Sequence, residues 1–379
     1  MSRTLVVKVG TSLLRGRQGL NTEAFVADLA RHLSAERQRG NGVVLVTSGA
    51  VGLGCRELQH NQRPELVEEL QAAAAIGQGQ LMGLYDRAFR PHGQTVAQVL
   101  LTRSDLASRR RFLQASRTLQ QLLEWGVVPI INENDTLATE ELRFGDNDTL
   151  SALVAVAIKA DELILLTDVD RLYSADPRSH ADARPISVVR SLNELEALSK
   201  GAGDGGRWGT GGMTTKLAAA RIATASGIAV RLADGRDPGL IEQLLQGASH
   251  GTRFLPSPEP ISDRKGWLAH ALVPQGQVQV DAGAERALLE QGASLLAVGV
   301  RSMEGDFDTQ APLRILGSGG QELGRGLSSC SSSTLQRILG LRSGTISRTV
   351  DSELNGVVVH RDQLVITAPP GGPTIPPPL

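Results

Sequence analysis

The sequence predicts an α/β fold built on a mostly parallel sheet, followed by a small, mostly β second domain. Strand-like and helix-like stretches alternate over residues 1–255, and the strand-like stretches are apolar at nearly every position. Strands of that kind are covered on both faces, as they are in a parallel sheet flanked by helices. A proline-rich break at residues 256–260 then separates this part from a region of short β-like runs.

Strands and helices of the first domain are expected to alternate along the chain. Phe25, Leu29 and Leu33 recur at helical spacing within the predicted helix 22–39. Pro64 is expected to open another helix, because proline is favoured at the first helical position. Ligands of such sheets bind beyond the carboxyl ends of the strands, so the residues that follow each strand are the candidates for chemistry. The predicted strands are 5–9, 43–46, 96–101, 127–131, 163–166 and 228–232.

The second domain is predicted over residues 276–355, after a linker at 256–275. Glycine turns separate its β-like runs, which indicates a small β domain. The segment 368–379 is rich in proline and glycine and is predicted to be a disordered tail. The β-like runs are 277–280, 295–300, 313–316, 356–359 and 364–366.

Composition and charge exclude several classes of protein. The 379 residues carry 39 basic and 40 acidic side chains, a formal net charge of −1, which gives no general attraction to nucleic acid or to an acidic membrane. Cys55 and Cys330 are far apart and form no CxxC pair, so neither a disulfide framework nor a zinc site is expected. We find no signal-peptide pattern and no apolar run of about 18 residues, and we expect a cytoplasmic protein without membrane contact.

Two clusters rich in glycine and hydroxyl side chains follow the first two predicted strands. Lys8 stands near the end of a buried strand, where a lysine is costly unless it meets an anion, and Gly10 would let backbone N–H groups approach a phosphate. Residues 47–52 place Ser48 at a strand-to-helix turn, where a helix N-terminus favours phosphate or carboxylate. Taken singly, an exposed strand-end lysine and an ordinary capped turn are the alternatives.

A third cluster combines carboxylates and amides after the strand 127–131. Asp135 belongs to its first part and Asn147 and Asp148 to its second, and the two acidic parts lie only 10 residues apart. So many acidic groups repel one another unless they bind a cation or an ammonium group. The alternative is a solvated acidic loop that caps a helix starting near Thr149.

The fourth cluster joins a strand end to a glycine loop. Thr167 and Asp168 follow the strand 163–166, and residues 210–216 run from glycines into a helix with Lys216 in its first turn. A cation in the first turn of a helix is repelled by the positive end of the helix dipole. An anionic phosphate bound between the lysine and the helix N-terminus would offset that repulsion.

Two common nucleotide-binding motifs are not predicted. Residues 201–206 match GxGxxG, but they follow the helical stretch 192–200 and not a strand, and no GxxxxGK[ST] occurs. The seven histidines are scattered and form no metal-ligand set.

Taken together, these clusters resemble the amino acid kinase family. Each piece is short, but their order over about 210 residues is specific. Residues 276–355 resemble a PUA domain, the module named for pseudouridine synthases and archaeosine transglycosylases. The resemblance implies an open α/β/α sandwich with a mostly parallel sheet, plus a small PUA-like domain, and it agrees with the strand pattern. The matching stretches are 8–12, 47–50, 132–135, 144–148, 166–168 and 211–216.

Within the family, the resemblance is to the branch that uses ATP to phosphorylate the side-chain carboxylate of L-glutamate. That reaction gives L-glutamyl 5-phosphate, the first step of proline biosynthesis, and the implied cofactor is Mg²⁺, with no ligand residues assigned. The implied catalytic residues are Lys8, Lys216 and Asp148, and those implied to hold glutamate are Ser48, Asp135 and Asn147. The residues implied to contact ATP are Lys8, Thr167, Asp168, Thr210, Gly211, Gly212, Met213, Thr214, Thr215 and Lys216.

The implied chemistry needs no general base, because the glutamate side chain is already ionised near pH 7. The difficulty is that an anion must attack a polyanion. Lys8 and Lys216, backbone N–H groups and Mg²⁺ would offset that repulsion and align the reacting groups in line. Asp148 would either hold the metal or orient the lysines, and Asp135 would pair with the substrate ammonium group.

Partners are implied by the resemblance as well. They are L-glutamate and ATP as substrates, proline as feedback inhibitor, and a second copy of the chain in a homo-oligomer. Water would destroy the acyl phosphate product, so a hand-off to glutamate-5-semialdehyde dehydrogenase (gamma-glutamyl phosphate reductase) is also expected. Arg171 stands where family members often have glycine, and Trp208 is a bulky neighbour of the glycine loop, but neither removes a matched chemical group.

The alternatives fall into two classes. Kinases of aspartate, acetylglutamate, carbamate and uridylate are the rivals within the family, and the acidic substrate loop favours an acceptor with a free amino group. The other class is an RNA-binding regulator with a retired kinase domain. Residues 276–353 carry seven Arg, no Lys and nine Asp or Glu, and Phe307 is their only aromatic residue. RNA binding needs a basic face and stacking rings, so it is not expected.

Overall fold

The chain forms two compact units, Met1–Asp263 and Arg264–Leu379. The computed structural model describes residues 2–14, 21–60, 62–102, 105–106, 109–137, 147–177, 180, 182–199, 212–260, 274–309, 311–341 and 356–367. No helix in this described part combines the length and the apolar character that crossing a lipid bilayer requires. The predicted tail 368–379 and residues 261–273 of the predicted linker lie outside the described residues, and the predicted domain boundaries stay predictions.

A sheet of eight strands organises the described part of the first unit. Its strands are β1 (Thr4–Val9), β2 (Gly42–Val46), β3 (Val96–Leu101), β4 (Val128–Glu133), β5 (Glu162–Thr167), β8 (Val188–Val189), β9 (Ala229–Asp234) and β10 (Thr252–Phe254). They lie in the order β3-β4-β2-β1-β5-β9-β10-β8. Neighbouring strands are parallel except β9 and β10, so the predicted mostly parallel sheet is confirmed. A separate antiparallel pair consists of β6 (Leu172–Tyr173) and β7 (Pro185–Ile186).

Helices cover both faces of this sheet. They are α1 (Thr11–Leu14), α2 (Thr22–Gln38), α3 (Ala50–Glu57), α4 (Val67–Phe89), α5 (Arg109–Glu124), α6 (Asn147–Ile158), α7 (Leu192–Ser199), α8 (Met213–Ala225) and α9 (Pro238–Leu245), with 3-10 turns at Arg90–His92 and Asp135–Leu137. Leu5, Val7 and Val9 pack with α2, α4 and α9 into one buried cluster. Successive side chains of a strand point to opposite faces, and Lys8 accordingly reaches Asp148 at the start of α6.

The carboxyl ends of the central strands meet at one edge of the sheet. Lys8 is level with Val46 of β2 and Leu165 of β5, and Val46 is level with Ile131 of β4. The residues that follow these positions therefore gather at the same edge. This is where a parallel sheet binds its ligands, and all four sequence clusters begin there.

Helices α3 and α4 approach each other unusually closely, because glycine stands at the contact. A Cβ atom at Gly77 would lie 1.8 Å from the carbonyl oxygen of Ala50, and one at Gly54 would lie 1.8 Å from that of Ala73. Gly49, directly before α3, has a φ of 101°, which glycine adopts without strain. The long helix α4 is thereby held against the turn that follows β2.

A second sheet, of six strands, forms the described part of the second unit. Its strands are β11 (Gly276–Val280), β12 (Leu295–Leu296), β13 (Val300–Glu304), β14 (Pro312–Leu316), β15 (Glu322–Ser328) and β16 (Val357–Ile366). The order is β12-β16-β15-β14-β11-β13, with β11 and β14 the parallel pair. The helices α10 (Ala282–Gln291) and α11 (Ser332–Ile338) complete it, and Leu313, Ile315 and Val358 lie in its core. The predicted small β domain is confirmed.

Several elements differ from the sequence predictions. The run predicted at 295–300 is divided into β12, a 3-10 turn at Ala297–Gly299 and the start of β13. Helix α4 begins at Val67 and not at Pro64, and Glu68 and Glu69 lie in its first turn, where acidic side chains suit the helix dipole. The runs predicted at 356–359 and 364–366 belong to one continuous strand, β16.

Strand β15 was not predicted, because Gly324 and Gly326 are weak strand formers. Its glycines are nevertheless required by the packing. A Cβ atom at Gly324 would lie 2.1 Å from the carbonyl oxygen of Val365 in the neighbouring strand β16. The close approach of two backbones is visible only in the folded structure.

Replacement of Gly77 with alanine should destabilise the first unit, because the added methyl group would overlap the carbonyl oxygen of Ala50. We expect the free energy of unfolding to fall by about 1–3 kcal/mol, as overpacking usually costs. Urea denaturation followed by circular dichroism measures this change.

Gly79→Ala is the matched control in the same helix, because no atom lies within 4 Å of the position of its Cβ. An alanine there should be neutral or stabilising by about 0.5–1 kcal/mol. Equal destabilisation by both substitutions would contradict the close contact between α3 and α4.

Candidate active site

Three charged side chains meet beneath the edge of the sheet, and we call them the lysine–aspartate cluster: Lys8, Asp148 and Lys216. The Lys8 Nζ lies 2.6 Å from Asp148 Oδ1, and the Lys216 Nζ lies 3.4 Å from Asp148 Oδ2. The side chain of Asp148 is wholly buried, and those of the two lysines are 5% and 9% exposed. Asp148 and Lys216 occupy the first turns of α6 and α8.

The charges of this cluster determine its protonation. Burial alone would raise the pKa of Asp148, but the ammonium groups of Lys8 and Lys216, with hydrogen bonds from Lys8 and Thr215, lower it to about 2. Burial lowers the pKa of Lys216, while Asp148 opposes that effect. With all three groups ionised, two positive charges face one negative charge. The excess positive charge suits a phosphate group, which two buried cations and one anion can attract.

The start of α8 adds a hydroxyl group and a backbone turn to the cluster. Thr215 Oγ1 lies 2.7 Å from Asp148 Oδ2 and 2.9 Å from the carbonyl oxygen of Gly212. Gly212 stands directly before the helix in extended conformation. Thr210 and Gly211, which the sequence assigned to the same loop, lie outside the described residues.

Asn147, the neighbour of Asp148, belongs to a second polar group on the other side of α6. Its Nδ2 donates to Ser48 Oγ at 2.8 Å and to Asn132 Oδ1 at 3.1 Å. Its Oδ1 is buried and has no hydrogen-bond partner among the described residues. A buried acceptor of this kind costs free energy until a donor reaches it, so the side chain is arranged to receive an N–H or O–H group.

Asp135 stands at the start of the 3-10 turn that follows β4. The turn packs against α4, and the described structure gives Asp135 no hydrogen bond to Ser48 or Asn147. Burial raises the pKa of Asp135 to about 6, against the opposing charge of Arg63. Its carboxylate is therefore ionised at neutral pH but incompletely compensated, which favours a cationic partner.

Thr167 and Asp168 stand on the opposite side of β1, at the end of β5. Thr167 is buried, and its hydroxyl donates to Asp168 Oδ1 at 3.3 Å. Beyond them, Arg171 Nε lies 2.9 Å from Asp170 Oδ2, so this departure from the family pattern pairs with an acidic neighbour. Trp208 lies outside the described residues.

Sequence reasoning missed an ion pair at the end of β9. Asp234 is level with Thr167 in the sheet, and Arg236 donates to its carboxylate through Nε at 2.9 Å. Burial would raise the pKa of Asp234, but the hydrogen bonds from Arg236 hold it below its ordinary value. The sequence signal for this pair is the position of Asp234 just after a predicted strand. It was missed because the predicted strand 228–232 ends two residues before Asp234.

Asn132 is the other residue without an assigned role in the sequence prediction. Its Oδ1 accepts from the backbone N–H of Glu133 at 3.0 Å as well as from Asn147. The sequence placed it within the third cluster but could not show which member of that cluster it contacts.

A divalent cation would need carboxylate or similar side-chain ligands at this edge of the sheet. Among the described residues no group of three His, Cys, Asp or Glu side chains could hold a metal ion, and both carboxylate oxygens of Asp148 face lysines. Mg²⁺ usually keeps several waters and binds through one or two carboxylates together with substrate phosphates. Single carboxylates at this edge, such as that of Asp168, fit an ion that arrives with a nucleotide.

Comparison with known proteins gives two matches to family models. The model of the amino acid kinase family matches residues 3–234, and that of the PUA domain matches residues 276–350. The resemblance inferred from the sequence clusters is confirmed.

Individual relatives and a solved structure give the same result. The chain is 60% identical over 361 residues to a glutamate 5-kinase of Synechococcus sp. (strain CC9605), with 95% of this chain and 98% of the relative covered. It is 61% identical to that of Parasynechococcus marenigrum (strain WH8102) over the same shares. A carbamate kinase from Giardia lamblia bound to AMP-PNP matches with a TM-score of 0.50 and 19% identity, over 68% of this chain and 99% of that chain. That likeness shows a shared fold.

Asp148→Asn should destabilise the first unit strongly, because two buried ammonium groups would lose their shared counter-charge. We expect the free energy of unfolding to fall by about 3–5 kcal/mol, measured by urea denaturation at pH 7.

Asp234→Asn provides the control, since it removes a carboxylate from a pair whose arginine side chain is 45% exposed. That change should cost less than about 1 kcal/mol. A loss for Asp148→Asn as small as that of the control would contradict the electrostatic account of the cluster.

Proposed function

Because the chain belongs to the amino acid kinase family, we propose that it transfers phosphate from ATP to the side-chain carboxylate of L-glutamate. The product is L-glutamyl 5-phosphate, and the reaction opens proline biosynthesis. The observation that carries the proposal is the pair of neighbours at the start of α6. Asn147 joins a polar group suited to an amino acid, and Asp148 joins two lysines suited to phosphate. The glutamate 5-kinases to which the chain is 60% and 61% identical support this choice of acceptor.

The chemistry follows from charge. The acceptor carboxylate is ionised at neutral pH, so it is a nucleophile without a general base. It must approach a nucleotide phosphate that is also negative. Lys8 and Lys216 are buried close to one another, where their charges are less screened than in water. They offset the repulsion as negative charge moves during in-line transfer.

We assign Asp148 the role of orienting the two lysines, which is one of the two roles that the sequence left open. Its two carboxylate oxygens are each directed at a different ammonium group, and Thr215 donates a further hydrogen bond. A carboxylate engaged in this way holds both lysines at defined positions. Preorganised cations of this kind need no rearrangement in the transition state.

We assign Ser48, Asp135 and Asn147 to the acceptor. The unpartnered Asn147 Oδ1 would accept from the α-ammonium group of glutamate, and the Asp135 carboxylate would pair with the same group. Ser48 Oγ, which accepts from Asn147, can donate its own proton to the α-carboxylate. Together these groups match the free amino acid ends, and the side-chain carboxylate is left to face the lysines.

We assign the nucleotide to the side of β5 and α8. Thr167, Asp168 and residues 210–216, including Gly212, Met213, Thr214 and Thr215, would line its phosphates. Bound Mg²⁺ would supply charge neutralisation for the phosphates, and Asp168 is the described carboxylate best placed to help hold it. The N-terminus of α8 contributes backbone N–H groups toward the same phosphates.

We further propose that the protein forms a homo-oligomer and is located in the cytoplasm. We also propose that it delivers the acyl phosphate to glutamate-5-semialdehyde dehydrogenase and that RNA is not among its partners. On the second unit, Glu322 pairs with both Arg314 and Arg325, which neutralises positive charge that RNA binding would require.

Glutamate should be phosphorylated far faster than aspartate, since an acceptor shorter by one methylene cannot reach the lysines while its ammonium group stays at Asn147. A coupled assay of ADP release measures both acceptors.

Asn147→Ala should raise the KM for glutamate by about tenfold or more, as loss of hydrogen bonds to a charged group does, and leave the KM for ATP nearly unchanged. Aspartate as the better acceptor, or equal effects of Asn147→Ala on both substrates, would contradict the assignment.

Proline should inhibit the enzyme by competing with glutamate. Proline shares the α-amino and α-carboxylate groups that Ser48, Asp135 and Asn147 are proposed to hold, but it lacks the side-chain carboxylate that reacts. The KM for glutamate should therefore rise with proline concentration, and Asn147→Ala should weaken both ligands together. A falling maximal rate at constant KM would place proline at a separate site, and no response would remove the regulatory claim.

A further inference from the structure

A buried tyrosine hydroxyl of helix α4 contacts the turn that contains Ser48. Tyr85 is wholly buried, and its hydroxyl lies 2.7 Å from Thr47 Oγ1. Burial raises the pKa of the Tyr85 phenol, so the hydroxyl stays protonated. A buried hydroxyl is costly unless it is hydrogen-bonded, and in the described structure this one is directed at a residue next to the proposed acceptor site.

The direction of these hydrogen bonds can be assigned. Thr47 Oγ1 lies 3.2 Å from the carbonyl oxygen of Ser48 and donates to it. A threonine hydroxyl has one proton, so the Tyr85 hydroxyl must be the donor in its bond with Thr47. The result is a chain from Tyr85 through Thr47 to the backbone of Ser48, in which each bond polarises the next. The backbone N–H of Thr47 also donates to the carbonyl oxygen of Ile131 at 2.8 Å, which ties the turn to β4.

A second contact from the same helix reaches the same place. Gln78 precedes Tyr85 by seven residues, about two helical turns, so both lie on one face of α4. Gln78 Oε1 accepts from Asn132 Nδ2 at 2.9 Å, and Asn132 Oδ1 accepts from Asn147. The contact through Gln78 and Asn132 therefore reaches the side chain of Asn147. The contact through Tyr85 and Thr47 ends at the backbone of Ser48, whose side chain accepts from Asn147.

The hydrogen bond between Asn147 and Asn132 determines the orientation of the Asn147 side-chain amide. Asn132 Oδ1 must be an oxygen, because the backbone N–H of Glu133 donates to it. The group of Asn147 that faces it must then be Nδ2, so the unpartnered Oδ1 points elsewhere. The amide orientation follows from the hydrogen-bond network, as such assignments must, and it presents an acceptor to the substrate.

We propose that Tyr85 is a positioning residue for the amino-acid acceptor, acting through Thr47 on Ser48 and Asn147. The inference rests on the proposed function, since it concerns how the acceptor is held. Loss of the Tyr85 hydroxyl leaves Thr47 without its donor, loosens the turn at Ser48 and releases one of the two acceptors that orient Asn147. The lysine–aspartate cluster is held separately, by the contacts of Asp148 with Lys8, Lys216 and Thr215.

Tyr85→Phe tests the proposal, because it removes the hydroxyl and keeps the ring in the core. The KM for glutamate should rise by about three- to tenfold, the range of one neutral hydrogen bond. The KM for ATP and kcat should stay within a factor of two. A structural role alone would lower the melting temperature or affect both substrates together, so thermal unfolding is measured on the same samples.

Thr47 provides a second series that does not depend on the folding of the tyrosine variant. Thr47→Ser keeps the hydroxyl and should retain a glutamate KM near that of the unmodified protein. Thr47→Val keeps the shape without the hydroxyl and should raise the glutamate KM as Tyr85→Phe does. The double variant should be no worse than Thr47→Val alone, because both changes break the same chain of hydrogen bonds.

Thr224→Val is the control for loss of a buried hydroxyl remote from the site. Thr224 is buried near the end of α8, and its hydroxyl donates to the carbonyl oxygen of Ala220 at 2.7 Å. It should leave the glutamate KM unchanged. Additive effects in the double variant, or equal changes in the KM for glutamate and ATP, would overturn the proposal. Glutamate turnover by the unmodified protein tests the proposed function by itself. The variants test the role of Tyr85 only once that turnover has been measured.

Discussion

One carboxylate shared by two buried lysines is the interaction on which the rest of the site depends. Removing charged groups from water costs several kcal/mol for each ion, and the attraction between them must repay that cost. Asp148 does so for Lys8 and Lys216 at once, which requires β1, α6 and α8 to converge at one point. Within the lysine–aspartate cluster itself, the positive charges outnumber the negative charge by one. In the proposed function, this balance keeps the folded site stable and lets it attract phosphate.

The strand order would place the two proposed substrates on opposite flanks of this cluster. Strands β4 and β2 lie on one side of β1, and β5 and β9 lie on the other. Asn132 and Ser48 therefore stand on one flank of Lys8, whereas Thr167 and Asp234 stand on the opposite flank. Helix α6 spans the division with two consecutive residues, Asn147 for one side and Asp148 for the other. In-line transfer between acceptor and nucleotide needs such an arrangement, and the parallel sheet supplies it at a single edge.

Rigidity on the acceptor side comes from α4, which packs against α3 at glycine contacts. Because Gly77 permits that close approach, the helix can present Tyr85 and Gln78 to the turn after β2 and the end of β4. Supporting hydrogen bonds of this type hold binding groups near their productive geometry. The cost is a buried acceptor, Asn147 Oδ1, that has no partner among the described residues. In the proposed function, a bound substrate ammonium group would repay the desolvation of this oxygen.

The sequence by itself determined the architecture, since apolar runs report burial on both faces and the clusters that follow them report a ligand edge. It also placed Lys8, Asp148 and Lys216 among the functional residues. It left open whether Asp148 binds metal or orients lysines, and it missed Asp234 and its partner. Only the tertiary structure shows that both carboxylate oxygens of Asp148 face lysines. It alone reveals the pair of Asp234 with Arg236 and the link between Tyr85 and Thr47, 38 residues apart. Such contacts depend on which side chains the packed helices bring within hydrogen-bonding distance. Hydrophobic periodicity is a local property of the chain, whereas pairing of buried polar groups is a property of the completed fold.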